Sequence, residues 1–368
     1  MQLEKIIDKK ILPFICHLLS FLKRKKPINE KNKNILVIRF WGVGSAILCL
    51  PLLRTLKENS PDSKITVLCT ERTSPVFFNQ PFVDERISIW SSSVIPFIIK
   101  NFRKYDLVID TEEHYAISAL ISFFVGKRSI GYNIGARAKL FDHNIVYNDR
   151  QHVVYTYCDL LKPLGITASP KELGKLNYDD DAKTFVSLRF QKQSIRLKPP
   201  VIGIHAFCGP TARWRAWPKE RFASFIDKIK KKHSPMIILT GAGWEEQGNK
   251  EIIALLTDKS NVYNIANLPT QSLFYLIGQY DLMVSNDTGP MHIAAAQGVP
   301  TIGLFGPNTP QRFGPFPPEK HIALYHQTEG HPVINVHLNE FRECDGKCME
   351  LITVDEVLEA AEKLLKKK

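Results

Sequence analysis

Apolar residues fall along this chain in short blocks, each ending in a glycine-rich or polar turn and followed by a longer amphipathic stretch. The blocks at 35–40, 65–69, 107–110 and 128–131 predict buried strands, and the stretches 46–58, 115–125 and 153–164 predict helices. Pro51 inside the first of these helices predicts a bend or an unpaired carbonyl. Residues 132–150 read as polar loop, and residues 171–197 are charged and weakly patterned before Lys198, Pro199 and Pro200 close them. A linker is therefore expected at 175–198. Beyond it the alternation restarts, with strands at 201–205, 236–240 and 262–265 and helices at 222–232, 249–256 and 273–279. A last helix is expected at 354–367. Such a repeat predicts an α/β protein of two Rossmann-like domains facing across a cleft, with ligands at the carboxyl ends of the strands. The expected divisions are 1–33 as an N-terminal segment, 34–185 and 199–350 as the two domains, and 351–368 as the C-terminal helix.

The longest informative stretch is DLMVSNDTGPMHIAAAQGVPTIGLFGPNTPQRFGP, residues 281–315. An apolar strand leads into Asn286, Asp287 and Thr288, all good N-cap residues, and Gly289 and Pro290 occupy the first helical positions. A small-residue helix follows through His292 and the alanines to Gly298, and another strand begins at Pro300. This βαβ unit leaves a helix N-terminus open, where free N–H groups and the helix dipole suit a phosphate. After the strand ending at His205, Arg213 and Arg215 flank Trp214 and are natural partners for a diphosphate. After the next strand, the turn Gly241-Ala242-Gly243-Trp244-Glu245-Glu246 offers close backbone approach and an acid suited to ribose hydroxyls. The first strand ends in its own glycine turn, Trp41-Gly42-Val43-Gly44-Ser45. A dinucleotide fingerprint would need glycine where Ile47 stands, and Glu71 after the second strand does not repair that lack.

With 368 residues, 44% hydrophobic and 23% charged, the chain has the make-up of a globular protein of two ordinary domains. Seven cysteines, mostly isolated, argue for reduced thiols in the cytoplasm. Cys344 and Cys348, with His331 and His337 upstream, lack the spacing of a tetrahedral zinc set, so no metal is expected. The net charge of +12 is unevenly spread: residues 1–33 hold nine Lys/Arg against three Asp/Glu. No aromatic-and-basic stacking motif accompanies that charge, which argues against nucleic acid. The same segment carries ILPFICHLLSFL at 11–22 and then Lys23, Arg24, Lys25 and Lys26. This run is too short to cross a bilayer, which takes about 20 residues. No cleavage site follows it. A basic amphipathic helix on the cytoplasmic face of an anionic membrane is the expectation, with packing on the protein's own body as its rival.

Taken together, five blocks resemble glycosyltransferase family 9, the heptosyltransferase-like enzymes of lipopolysaccharide core assembly. They are ILVIRFWGVGSAILCLPLLRTLK, DLVID with GKRSIGY, RWRAWPKERF, SNDTGPMHIAAAQGVPTIGLFGPNTP and GKCMELITVDEVLEA, in order over residues 34–365. The resemblance implies a fold of the GT-B type and an inverting, metal-independent, cofactor-free glycosyltransferase. It also implies a nucleotide-diphosphate donor, ADP-heptose, and a lipid-linked saccharide acceptor. By matched position, Arg215 stands where the family has a phosphate-binding lysine, and Thr211 matches a phosphate-contacting hydroxyl. Glu245 matches the ribose acid, and Asp287, Thr288 and Gly289 match the donor-binding turn; His292, in the helix that follows, is expected on the donor side. Gly42, Gly44, Arg128, Arg137 and Lys139 are expected on the acceptor side.

One departure stands out. The family carries an Asp after the second glycine of the first turn, the supposed base for the acceptor hydroxyl, and here the residue is Ser45. An unassisted serine cannot take that proton near neutral pH. Asp110, Glu112, Glu113 and His114, at the end of a neighbouring strand, are the available substitutes, with Glu113 and His114 favoured. The rival reading is a non-catalytic nucleotide-sugar-binding protein of the same fold.

Overall fold

The computed structural model describes residue 8 and residues 11–27, 32–209, 212–328, 334–335, 340–341 and 346–366. Two compact units divide the chain, the first running to Pro170 and the second beginning at Lys171. Each is built on a six-stranded parallel sheet with helical crossovers, a Rossmann-like arrangement.

The first sheet holds β1 (Asn34–Ile38), β2 (Lys64–Cys69), β3 (Glu85–Ser88), β4 (Leu107–Asp110), β5 (Ser129–Tyr132) and β6 (His143–Ile145), in the order β3-β2-β1-β4-β5-β6. The second holds β7 (Val201–His205), β8 (Met236–Gly241), β9 (Val262–Ala266), β10 (Leu282–Asn286), β11 (Thr301–Phe305) and β12 (Ile322–Tyr325), in the order β12-β11-β10-β7-β8-β9. Strand order reverses between β1 and β4 in one sheet and between β7 and β10 in the other. Ligand crevices form outside the carboxyl ends of strands at such switch points. Ile38 lies opposite Asp110 across the first, and Ser285 opposite His205 across the second.

Helices cover these sheets, so the central strands are buried on both faces and read as unbroken apolar runs. In the second unit α7 (Lys219–His233) sends Phe222, Phe225 and Ile226 into a core with Ile202, Val284 and Ile302. The last helix, α13 (Val354–Leu365), adds Val357, Ala361 and Leu364, and a reciprocal cap between Thr353 and Glu356 starts it. In the first unit α2 (Val43–Asn59) continues through Pro51 rather than ending there.

Within these two sheets, the three strands that the apolar pattern does not predict, β3, β6 and β12, all lie at the edges. An edge strand needs fewer apolar side chains, and β3 alternates half-buried with exposed residues. The expected linker is also corrected: residues 180–192 form a helix, α6 (Asp180–Lys192), in the second unit. Only Ala182 and Val186 of it are buried, which explains the weak periodicity. Its end signals are strong: the Asp179 carboxylate accepts from Ala182 N at 2.9 Å, acids fill the first turn and Arg189 and Lys192 the last.

The apolar N-terminal run forms α1 (Leu12–Ser20), which packs on the protein's own first unit. Leu12, Ile15, Cys16 and Leu19 meet Ala119, Leu120 and Phe123 of α4 (Ala116–Val125) and Leu140 of the short turn Ala136–Leu140. Lys23 then reaches Asp142 at 2.7 Å, with both side chains nearly buried. The opposite face of α1 is not covered by the described residues: Ile11, Phe14, Leu18, Phe21 and Leu22 stay exposed. No described helix is long and apolar enough to cross a membrane.

Candidate active site

At the switch point of the second sheet, β10 delivers Asn286 and Asp287 to the carboxyl edge. Asn286 is fully buried and uses both ends of its amide: Oδ1 accepts from Trp217 N at 3.0 Å and Nδ2 donates to Ala206 O at 2.9 Å. Asp287 Oδ2 accepts from Arg215 Nη1 at 2.9 Å and from Asn308 Nδ2 at 2.9 Å. Two adjacent residues thus fix the loops leaving β7 and β11 against the end of β10. Thr288 is the N-cap of α10 (Gly289–Ala296), yet its side chain does not cap the helix and turns back toward Asn286 O and Ser285 Oγ. That leaves the first turn of α10 without a side-chain cap. In the loop that Asp287 holds, Arg215 Nε and Trp214 Nε1 are buried N–H donors with no acceptor among the described residues. Buried donors of this kind want an acceptor-rich partner.

The block GKCM supports this edge from behind. Arg221 donates to the carbonyls of Glu350 and Ile352, and Trp217 Nε1 donates to Ile352 O at 2.9 Å. Gly306, just after β11, lies so close to this block that a Cβ there would stand 2.5 Å from Met349 Sδ and 2.9 Å from Cys348 Sγ. Cys344, His331 and His337 lie outside the described residues, and among those described no group of His, Cys, Asp and Glu could hold a metal.

The turn after β8 carries Glu245, which is buried and accepts from Ala242 N at 2.8 Å. His205 Nε2 is 3.8 Å from its carboxylate. Burial raises Glu245 and pushes His205 down to about 4, so at neutral pH this imidazole carries no charge. Arg213 and Trp244 are exposed, and His292 is buried in the first turn of α10. Thr211 lies outside the described residues.

The switch point of the first sheet is organised by buried charge. Gly42, at φ +71°, caps α2 in a conformation that side chains seldom adopt, and Gly44 and Ser45 begin the helix half-exposed. Arg39 is buried and donates to Thr111 O at 2.9 Å and Trp41 O at 3.1 Å. Its guanidinium serves two acids, with Nη1 3.4 Å from Glu113 Oε2 and Nε 3.6 Å from Glu112 Oε1. Arg137, expected on the acceptor surface, is buried instead: Nη2 reaches Asp110 Oδ2 at 2.7 Å and Ser118 Oγ at 3.0 Å, and Nη1 donates to Glu112 O. It organises the cluster from inside. Arg128 is half-exposed, and Lys139 is exposed with Nζ 2.8 Å from His17 Nδ1.

Three buried carboxyls therefore share two guanidiniums. Asp110 is engaged by Arg137 and by Glu112 N, and Glu113 by Arg39 and by Tyr157 OH at 3.0 Å. Glu112 Oε1 accepts from Phe40 N at 2.6 Å and Trp41 N at 3.2 Å, so it grips the turn that leads to Gly42. Its Oε2 is buried with no hydrogen-bond partner among the described residues. Burial pushes Glu112 up to about 7 against the pull of Arg39. A carboxylate that holds and releases a proton near neutrality is what general-base work requires. Apolar spacing alone does not single out Arg39 or Glu112, but a charged residue at the end of each of two adjacent apolar strands was the available signal. His114 follows Glu113 directly and is half-exposed.

A family model described as glycosyltransferase family 9 (heptosyltransferase) matches residues 99–337. Lipopolysaccharide heptosyltransferase 3 of Escherichia coli K12 is 26% identical over 281 residues, 72% of this chain and 79% of that protein. Among solved structures, a family 9 glycosyl transferase from Veillonella parvula superposes with a TM-score of 0.78 at 20% identity, over 94% of this chain and 100% of that one. The E. coli ADP-heptose LPS heptosyltransferase II superposes with a TM-score of 0.73 at 22% identity, over 91% and 99%. The match spans the β4 acids, the Arg215 turn and the β10–α10 junction alike, and this chain belongs to glycosyltransferase family 9.

Proposed function

We propose that this enzyme transfers heptose from ADP-heptose to the saccharide core of a lipopolysaccharide, with inversion and without a metal. Family membership supports the reaction class, and the names of the E. coli relatives support the sugar, the nucleotide and the acceptor. The observation that carries the donor assignment is Arg215 locked to Asp287 beside an uncapped helix start. There the α- and β-phosphates of the donor would meet Arg215 and the N–H groups opening at Thr288 and Gly289, while Glu245 serves the ribose. Arg213, in the same loop, is a further partner for the phosphates, and the family match assigns Thr211 the same role. As the acceptor oxygen bonds to the anomeric carbon, the bond from that carbon to the diphosphate oxygen breaks. Negative charge then grows where these fixed donors point.

The acceptor hydroxyl must lose its proton, and we assign that proton to the Glu112–Glu113 pair, with Glu112 Oε2 as the receiving atom. Glu113 and Asp110 are each held by a guanidinium and a second donor, whereas that oxygen is not engaged by the described residues. Arg128 and Lys139 are available to acidic groups of the acceptor. The family's Asp being Ser45 thus does not demand a binding-only protein.

The acceptor class also gives the N-terminal segment a purpose. The exposed face of α1, followed by the exposed Arg24, Lys25 and Lys26, suits peripheral attachment at the cytoplasmic face of an anionic membrane. Incubation with ADP-heptose and a heptose-deficient lipopolysaccharide core tests the whole reading. ADP release matched by addition of one heptosyl residue is expected; binding of ADP-heptose with no transfer to such an acceptor would leave only the binding protein.

A further inference from the structure

A second helix of the first unit shows an uncovered apolar face. The helix α3 (Val94–Lys100) is apolar on both sides. Phe97, with Val94 and Ile98, packs inward against Ile117, Ile121 and Val125 of α4. Outward stand Ile95 at 70% exposure, Ile99 at 72% and, just past its end, Phe102 at 60%, with Trp90 at 63% shortly before it. Positions 95 and 99 are the i, i+4 spacing of one helical stripe, and Phe102 stands exposed in the turn past Asn101. A stripe this apolar that faces away from its own core is unusual for surface that stays in water.

Its position relative to α1 gives it meaning. The α4 helix lies between the two: its Ile117, Ile121 and Val125 side meets α3, and its Ala116, Ala119, Leu120 and Phe123 side meets α1. Phe123 is the meeting point, with Lys23 Nζ and Arg103 Cζ each 5.7 Å from its ring centre. The basic end of α1 and the basic end of α3 are therefore neighbours, and Lys100 and Lys104 extend the strip exposed. Residues 9–29 and 87–105 contain no Asp or Glu, while from outside them Asp142 pairs with the nearly buried Lys23 and Glu71 accepts from Trp90 Nε1 at 3.2 Å.

We propose that α1 and α3 together form one lipid-facing surface, two apolar ridges flanking a basic strip, and that its occupant is an anionic bilayer. Charge complementarity selects that occupant, since apolar side chains beside the exposed Arg24, Lys25, Lys26, Lys100 and Lys104 match the interfacial zone below anionic headgroups. The inference rests on the peripheral attachment proposed above and adds its second contact. Two contacts also set orientation, which a single helix, free to roll about its axis, does not.

Co-sedimentation of the full chain with vesicles of phosphatidylglycerol and phosphatidylethanolamine tests this, with phosphatidylcholine vesicles as the neutral control. One variant combines Ile95→Ser, Ile99→Ser and Phe102→Ser; a second combines Phe14→Ser and Leu18→Ser. Each is expected to weaken binding to anionic vesicles roughly tenfold or more, with an unchanged thermal unfolding midpoint and unchanged turnover of a lipid-free acceptor. If the α3 variant binds like the parent while the α1 variant does not, the two-ridge surface is wrong and attachment through α1 stands. If the unmodified chain ignores anionic vesicles, peripheral attachment fails and this inference with it. If the α3 variant instead converts a lipid-free dimer to monomer and leaves vesicle binding intact, the face belongs to a second copy of the chain and the proposal is overturned.

Discussion

Arg215 donates from Nη1 to Asp287 Oδ2 at 2.9 Å across 72 residues of chain. The pair joins the exit of β7 to the exit of β10, so the guanidinium is held in place before any donor arrives. A preset cation does not need to reorganise as charge develops on a leaving group.

Replacing Arg215 by Ala should lower kcat/KM for the nucleotide-sugar donor by about 10²–10³, the effect of deleting one preset donor from a site of growing negative charge. Arg215→Lys should recover a substantial part, because a lysine also presents a cation to a phosphate. Steady-state kinetics with the donor varied would read both, and equal kcat/KM in the Ala variant and the parent would remove Arg215 from the donor site.

Glu112→Gln should cut kcat by about 10²–10⁴, the usual reach of a general base, and leave the donor KM close to that of the parent. The acid limb of the kcat–pH profile should disappear with it. Asp110→Asn is a contrasting case: it leaves Arg137 buried without its carboxylate, which costs about 3–5 kcal/mol of stability. That variant should fail in a melting experiment before any kinetics are read.

Two buried groups should tilt stability against pH in opposite senses. Glu112 moves from an ordinary 4.5 to about 7 on folding, so between those values the folded chain keeps a proton that the unfolded chain has released. Its contribution therefore falls as pH rises through that window, by up to about 1.4 kcal/mol per pH unit. His205 moves from 6.5 to about 4, so the unfolded chain binds the extra proton and stability is lost as pH falls from 6.5 toward 4. Urea unfolding at about pH 5 and pH 7 should show Glu112→Gln gaining on the parent at the higher pH and His205→Gln gaining at the lower.

Gly306→Ala should destabilise the second unit by about 1–3 kcal/mol, the range for forcing a methyl into a filled space. The obstacle is Met349 Sδ, 2.5 Å from the new carbon. Met349→Ala in the same chain should return part of the loss in a double-mutant cycle, whereas additive effects would mean that the two residues do not meet.

The doubly covered strands were plain in the sequence because burial on both faces leaves an unbroken apolar run, as in β1, β4, β7 and β10. Edge strands such as β3 and β12 need no such run, and α6 shows the core only Ala182 and Val186, so periodicity was silent where the caps were not. Of the site, turns and helix starts were legible because Asn, Asp, Thr and Gly have local conformational reasons to stand there. Partnerships were not. Nothing local tells Arg137, which turns inward to Asp110, from Arg128, which stays half-exposed, because the partner that decides it is 27 residues away. In the sequence Glu112 is one acid among several, and only the fold decides which of its two oxygens meets a donor.

Asn286 imposes a stricter rule than either charged pair. Its amide gives at one end and receives at the other, to Ala206 O and from Trp217 N. An aspartate of the same outline would press an oxygen against the Ala206 carbonyl, and a leucine would strand both backbone groups in the dark. Only one amino acid of that length satisfies the two ends at once. Anyone transplanting this corner onto another scaffold would have to carry the asparagine along with the arginine whose loop it fixes.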